Sequence, residues 1–308
     1  MKAEGAIWPT GLKPGDKVRF VSPASTPDRD DVFQRARKLE GWGLRVDYGQ
    51  HAFKKRSYLA GTDEERVADF NAALRDPAVR AIFATRGGKG SYRIADRLDF
   101  EAAGRDPKFL IGFSDITIIH LNLWKKCSLV SIHGSLFNGR SGHENAENTD
   151  ALRTALMTSD TITIKARQVE NTFALTTQGS ARGRLIGGNL SMVSTAAGWA
   201  LPNLKGAILL LEAVNMYVGE VDRQLTMLRN AGHLDGLAGV ALGQFTDFKP
   251  SSDNFTIVDL LREHLEPFGV PILGGLPLGH GSNPVSAILG AVAHLDTSAR
   301  ELVITRGA

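Results

Sequence analysis

The sequence predicts an α/β protein: an N-terminal domain built on a parallel sheet, then a C-terminal α/β domain with a β-rich end. Three observations predict it. Short apolar runs alternate with segments of helical spacing, the pattern of strand–helix–strand units. The 308 residues include 33 glycines, above the roughly 7% of average usage, and they cluster beside the apolar runs where strands turn into helices. A polar stretch at 138–149 separates one alternating region from a second.

The elements follow in order. Residues 18–22 (Val-Arg-Phe-Val-Ser) read as a first buried strand, and the Pro-bounded stretch 23–27 as a loop. Residues 30–41 have helical spacing, stopped by Gly41 and Gly43, and 44–47 form a second strand. Thr62 caps a helix over 63–74, with Glu65 completing a capping box. A β-rich run at 78–85 ends at Arg86-Gly87-Gly88. A strand at 108–112 passes into a helix from about 115. After the polar stretch come a short helix at 150–157 and weakly alternating peripheral strands in 161–177. The second region places strands at 183–186, 207–211, 238–243 and 271–274, with helices near 190–197, 222–231 and 257–265. The last part, 285–304, is β-rich.

Composition narrows the function. Apolar residues make up 43% and charged residues 22%, as in an ordinary soluble enzyme. The net charge of +3 is diffuse, and the densest basic run, Lys54-Lys55-Arg56, lacks interleaved aromatics, so nucleic-acid binding is not expected. Cys127 is the only cysteine, which rules out an intrachain disulfide and reads as a packed residue. No His/Asp cluster or H-E-x-x-H motif suggests a metal, and no cofactor is expected. The first residues lack the apolar core of a signal peptide, and no apolar run approaches the roughly 18 residues of a membrane span, so a cytoplasmic setting is expected.

Four segments can carry chemistry. In Phe109-Leu110-Ile111-Gly112-Phe113-Ser114-Asp115, an apolar strand runs into a helix with Ser114 at the junction. A serine there can project its hydroxyl above the sheet edge while helix N–H groups point at the same spot. The match to G-x-S-x-G is incomplete, since Ile116 stands at the second glycine, and on the local pattern alone Ser114 or Asp115 serving only as a helix cap is the commoner case. Glu212 ends the apolar run Ile208-Leu209-Leu210-Leu211, at a strand end where ligands gather. His280 lies in a Gly-His-Gly loop, a setting for a general base or for a plain surface histidine. His133 precedes Gly134 at a strand end and could line the same pocket, whereas His120 packs on the helix after Ser114. Thr85-Arg86-Gly87-Gly88-Lys89-Gly90 fits neither nucleotide-binding motif but can offer backbone N–H groups to an anion.

Read together, these segments resemble the LD-carboxypeptidase family of serine peptidases, which includes the microcin C immunity peptidases. The resemblance spans nearly the whole chain: Leu12-Lys13-Pro14-Gly15-Asp16, Ser22-Pro23-Ala24, Arg86-Gly87-Gly88, Gly112-Phe113-Ser114-Asp115, His133-Gly134, Gly187-Gly188-Asn189-Leu190, Leu211-Glu212, Asp222-Arg223 and Gly279-His280. It implies an N-terminal domain (1–140) resembling class I glutamine amidotransferases and carrying the nucleophile. A linker (141–181) and a C-terminal domain (182–308) carrying Glu and His would follow. It places the nucleophile on Ser114, the acid on Glu212 and the base on His280, with oxyanion donors at the backbone N–H groups of Gly88 and Asp115. It also implies a muropeptide substrate losing terminal D-Ala during cell-wall recycling, and a homodimer.

Three positions depart from the family pattern: Lys89 and Phe113 replace tyrosines, and Ala213 stands where aspartate is usual. Lys89 and Ala213 bear on substrate preference. Two other readings stay open, a microcin-type peptidase acting on a peptidyl nucleotide and a non-enzymatic module binding a small anion. Microcin-type members carry an aromatic-bearing loop in the middle region, whereas residues 138–182 hold no Trp or Tyr and one Phe, Phe173, which favours the muropeptide reading.

Overall fold

Alternation of apolar strands with amphipathic helices leaves each strand little choice but a parallel neighbour, because the intervening helix returns the chain to the same sheet edge. A computed structural model describes residues 5–136, 146–248 and 255–306. The start of the polar stretch, 138–145, lies outside the described residues. The first half runs β1 (Lys17–Val21), α1 (Arg29–Gly41), β2 (Arg45–Tyr48), α2 (Asp63–Arg75), β3 (Val79–Ala84), α3 (Phe100–Arg105), β4 (Phe109–Gly112), α4 (Thr117–Cys127) and β5 (Ser131–His133). The five strands pair in parallel in the order β2-β1-β3-β4-β5. The order reverses between β1 and β3, and in open sheets of this kind ligands collect outside the carboxyl ends of the strands. The loops after β1, β3, β4 and β5 all emerge there.

The second half runs α5 (Ala146–Met157), β6 (Ile162–Lys165), β7 (Ser180–Asn189), α6 (Leu190–Thr195), β8 (Ala207–Val214), α7 (Val218–Asn230), β9 (Gly239–Thr246), α8 (Ile257–Leu265), β10 (Ile272–Leu273), β11 (Ala287–Leu289), β12 (Val292–Asp296) and β13 (Glu301–Thr305). Its sheet has the order β10-β9-β8-β7-β12-β13-β6, parallel from β10 to β7 and antiparallel beyond. β11 leaves this sheet and pairs antiparallel with β5, setting Ala287 opposite His133. Apolar packing is likewise shared: Ile82, Leu110 and Ile118 bury with Leu209, Leu225 and Phe245 in one cluster. Phe20, Phe83 and Ile132 bury with Leu185, Leu210 and Leu295 in another.

The capping box at α2 forms, with the Glu65 N–H donating to Thr62 Oγ1 at 3.1 Å and the Thr62 N–H to Glu65 Oε2 at 2.8 Å. Some boundaries differ from the sequence reading. α3 was not anticipated, and β5 only through the strand end at His133: at six and three residues both are too short to show a periodicity of their own. β7 extends to Asn189, beyond the expected 183–186, because Gly187 and Gly188 pair in register with Leu210 and Leu211. Among the described residues no helix is long and apolar enough to cross a membrane.

Candidate active site

The end of β4 sets the position of Ser114. Phe113 is extended, Ser114 turns to a φ of +63°, and a single 3-10 turn, Ser114–Ile116, leads into α4. A left-handed serine costs about 1–3 kcal/mol, and such strain is retained where a side chain must be held out of the sheet. Neither side chain caps the helix: the cap positions of both the turn and α4 have no side-chain bond. The Asp115 carboxylate instead accepts the Ser91 N–H at 2.8 Å. The helix-cap reading of this motif therefore does not hold. Ile116, at the second glycine of G-x-S-x-G, is fully buried in the core.

The loop after β3 comes against this elbow. A Cβ placed on Gly87 would lie 2.8 Å from Ser114 Cβ and 3.0 Å from its Oγ, so only glycine permits the approach. Ser25 Oγ accepts the Lys89 N–H at 3.1 Å and so fixes the strand-end loop around Gly88. Among the described residues, the backbone N–H groups of Gly88 and Asp115 donate to no protein acceptor. Burial pushes the Asp115 carboxyl above its ordinary range, against the opposing hydrogen bonds from Ser91.

Glu212 and His280 meet directly. Glu212 lies inside β8 rather than at its end, at a shift of the β8–β9 register between Leu211 and Ala213. Such an irregularity re-aims a side chain out of the ladder pattern. The carboxylate is completely buried. Its Oε2 lies 2.7 Å from His280 Nδ1, and its Oε1 accepts the Asn189 side-chain amide at 3.1 Å. A carboxylate only accepts, so Nδ1 carries the proton and Nε2 is the basic nitrogen of the neutral ring. Burial pushes the Glu212 carboxyl up, but His280, His133 and Asn189 together hold it below its ordinary range. Gly279, at a φ of +134°, brings the loop close: a Cβ there would lie 2.8 Å from Glu212 Oε2.

The two halves touch at the residue preceding the serine. The Phe113 and His280 rings lie 4.9 Å apart, centroid to centroid, tilted by 51°. His133 stands edge-on to Phe113 at 6.2 Å and lines a small cavity with Phe113, Gly134, Gly279 and Val285. Its ring nitrogens make no hydrogen bond, and burial lowers its pKa to about 4. His120 bonds the Gly112 carbonyl at 2.9 Å, and burial lowers its pKa to about 3. Both rings are therefore neutral near pH 7 and unsuited to carry the proton traffic.

Asn189 is a site residue whose part the sequence did not reveal. Its N–H donates to Thr117 Oγ1 at 3.1 Å, tying β7 to the first residue of α4. The Gly-Gly-Asn-Leu motif marked the segment, yet its contact with Glu212 exists only through the β7–β8 pairing. Of the departures from the family pattern, Ala213 is fully buried in β8 and Lys89 is exposed beside Gly88. Burial pushes the Cys127 thiol up to about 11, as befits a packed residue. Among the described residues no group of three or more His, Cys, Asp or Glu side chains could hold a metal ion.

Known proteins carry the same pattern. A family model described as the LD-carboxypeptidase N-terminal domain matches residues 18–134, and one described as the LD-carboxypeptidase C-terminal domain matches 182–295. A Streptomyces coelicolor protein named as a carboxypeptidase is 34% identical over 308 residues, covering 98% of this chain and 97% of that protein. A Bacillus subtilis protein named as a murein peptide carboxypeptidase is 30% identical over 302 residues, 97% of this chain and 94% of its own. The solved microcin C7 self-immunity protein, a mutant in complex with adenosine monophosphate, is similar in fold. Its TM-score is 0.86 at 23% identity, covering 98% of this chain and 99% of that one. Two family domains matched in order, on a fold that brings an acid–histidine pair against a strained serine elbow, lead to one conclusion: the chain belongs to the LD-carboxypeptidase family and is a serine carboxypeptidase.

Proposed function

We propose that this enzyme releases terminal D-Ala from muropeptide tetrapeptides, with Ser114 as nucleophile, His280 as base and Glu212 orienting that base. The observation that carries the reading is the 2.7 Å contact between Glu212 and His280, with the His280 ring packed against the residue preceding Ser114. Ser114 Oγ attacks the carbonyl carbon of the scissile amide as its proton passes to His280 Nε2. Glu212 stabilises the imidazolium that forms. The Gly88 and Asp115 N–H groups donate to the oxyanion, at about 3 kcal/mol per donor. The C–N bond then breaks, the same nitrogen returns the proton to the departing D-Ala amine, and an ester to Ser114 remains. Water, deprotonated by Nε2, attacks that ester and frees the shortened peptide.

The substrate rests on the murein peptide carboxypeptidase name of the Bacillus subtilis relative. In this reading residues 1–140 supply the nucleophile and 182–308 the acid–base pair, joined by 141–181. The setting is cytoplasmic recycling of the cell wall, and the working form is a homodimer. A second reading, cleavage of a peptidyl nucleotide, draws on the fold shared with the microcin C7 self-immunity protein. Incubation with a muropeptide tetrapeptide separates them. Wild type is expected to release free D-Ala and Ser114→Ala to release none. Equal release by both would remove Ser114 as nucleophile, and turnover of a peptidyl nucleotide alone would favour the second reading.

A further inference from the structure

The loop that holds His280 is clamped by one buried side chain, that of Gln244 inside β9. Gln244 has no solvent exposure. Its backbone N–H donates to the Leu278 carbonyl at 2.8 Å, and its side-chain Oε1 accepts the Gly281 N–H at 2.7 Å. One residue thus grips the loop on both sides of His280. The side-chain Nε2 donates to Glu170 Oε1 at 2.8 Å and to the Ser282 carbonyl at 3.0 Å. These partners fix the amide's orientation. An N–H faces its oxygen, while a carboxylate and a carbonyl face its nitrogen, and a flip would set donor against donor.

Glu170 is itself held. It precedes a 3-10 turn, Asn171–Leu175, whose Asn171 amide donates to the Phe245 carbonyl at 2.6 Å. Thr172 Oγ1 donates to the Gly243 carbonyl and accepts the Gly275 N–H, both at 2.9 Å. The stretch that reads from sequence as part of a linker therefore anchors on β9, on both sides of Gln244. Neither Gln244 nor Glu170 bonds Glu212, so they act on His280 only through the loop's backbone.

We propose that Gln244, braced by Glu170, is a positioning residue that sets where His280 presents its ring to Ser114. The proposal rests on the reading of Ser114 and His280 as nucleophile and base. Its chemistry predicts a defect in turnover rather than in substrate binding, because a base displaced by a fraction of an ångström still leaves the binding surface in place.

A charge swap tests it, with D-Ala release from a tetrapeptide as the assay. Gln244→Glu sets a carboxylate against Glu170 and the Ser282 carbonyl. It is expected to lower kcat on the order of 10- to 100-fold with KM within about twofold. Adding Glu170→Gln restores a donor between the two positions and is expected to recover most of that loss. Glu170→Gln alone leaves an acceptor for the Gln244 amide and should change kcat by less than about threefold. Melting temperatures are measured alongside. A Gln244→Glu protein that matches wild type in kcat, or a loss that the swap does not rescue, overturns the proposal. So does a loss confined to KM or to melting temperature. A wild-type protein that turns over only a peptidyl nucleotide is compared with the variants on that substrate instead, and one that turns over neither substrate overturns the Ser114–His280 reading, and this inference with it.

Discussion

Replacing Glu212 by glutamine isolates charge from shape at the centre of the site. The substitution keeps the volume of a side chain that is fully buried and bonded to His280 at 2.7 Å and to Asn189 at 3.1 Å. What disappears is the negative charge that would stabilise the imidazolium. A unit charge at the 2.7 Å separation, in an effective dielectric of about 20, interacts by about 6 kcal/mol. Each 1.4 kcal/mol or so is a factor of ten, so kcat should fall by about four powers of ten. The tautomer suffers in the same direction: an amide nitrogen turned toward Nδ1 forces the proton onto Nε2, where it blocks acceptance from Ser114. Stability should not follow activity. The bonds to His280 and Asn189 outweigh the desolvation cost and hold the carboxyl below its ordinary range, so losing the charge should lower stability, but only by about 2 kcal/mol. Measuring D-Ala release and thermal unfolding on Glu212→Gln checks both halves, since each kcal/mol moves the midpoint by about 1.5 °C in a protein of 308 residues. A kcat within tenfold of wild type would refute the charge argument. A melting temperature lowered by more than about 8 °C would show the pair to be chiefly structural.

Two further outcomes follow from the same geometry. Gly87→Ala brings a methyl group to 2.8 Å from Ser114 Cβ, so the elbow must move; kcat should drop by about 100-fold, and unchanged kinetics would show that the loop yields instead. Acid should destabilise the fold through two buried histidines, His133 with a pKa near 4 and His120 near 3. With folded pKa values depressed below the unfolded value of about 6.5, the unfolded chain binds more protons below that pH. Stability is then lost as pH falls from about 6.5 toward the folded values. Between pH 7.5 and 5 each ring should cost about 2 kcal/mol, read from urea unfolding at the two pH values. Replacing His120 by Phe should flatten that slope, and an unchanged slope would contradict the assignment.

Much of this was legible in the sequence, because the signals were local. Apolar runs broken by amphipathic stretches gave the strand–helix alternation, Thr62 and Glu65 gave the start of α2, and Gly112-Phe113-Ser114 gave the elbow. Ser114, Glu212 and His280 stood out only as members of an ordered set of short motifs. Taken singly, each matched an ordinary cap, strand end or loop. What the tertiary structure decided was non-local. The register shift at Glu212 depends on β9, and the contact of Asn189 with Glu212 depends on the pairing of β7 with β8. Gln244 and Glu170 are 74 residues apart and carry no motif, yet together they brace the His280 loop. β11, from the second half of the chain, closes onto β5 beside His133. Periodicity and capping report on neighbours a few residues away, so the sequence by itself determined which elements form and which residues can react. Hydrogen bonds spanning 70 residues or so form only when the strands of the second sheet lie side by side, and those decided how the acid and the histidine are held together, while the contact of the two halves at Phe113 sets the pair against the serine elbow.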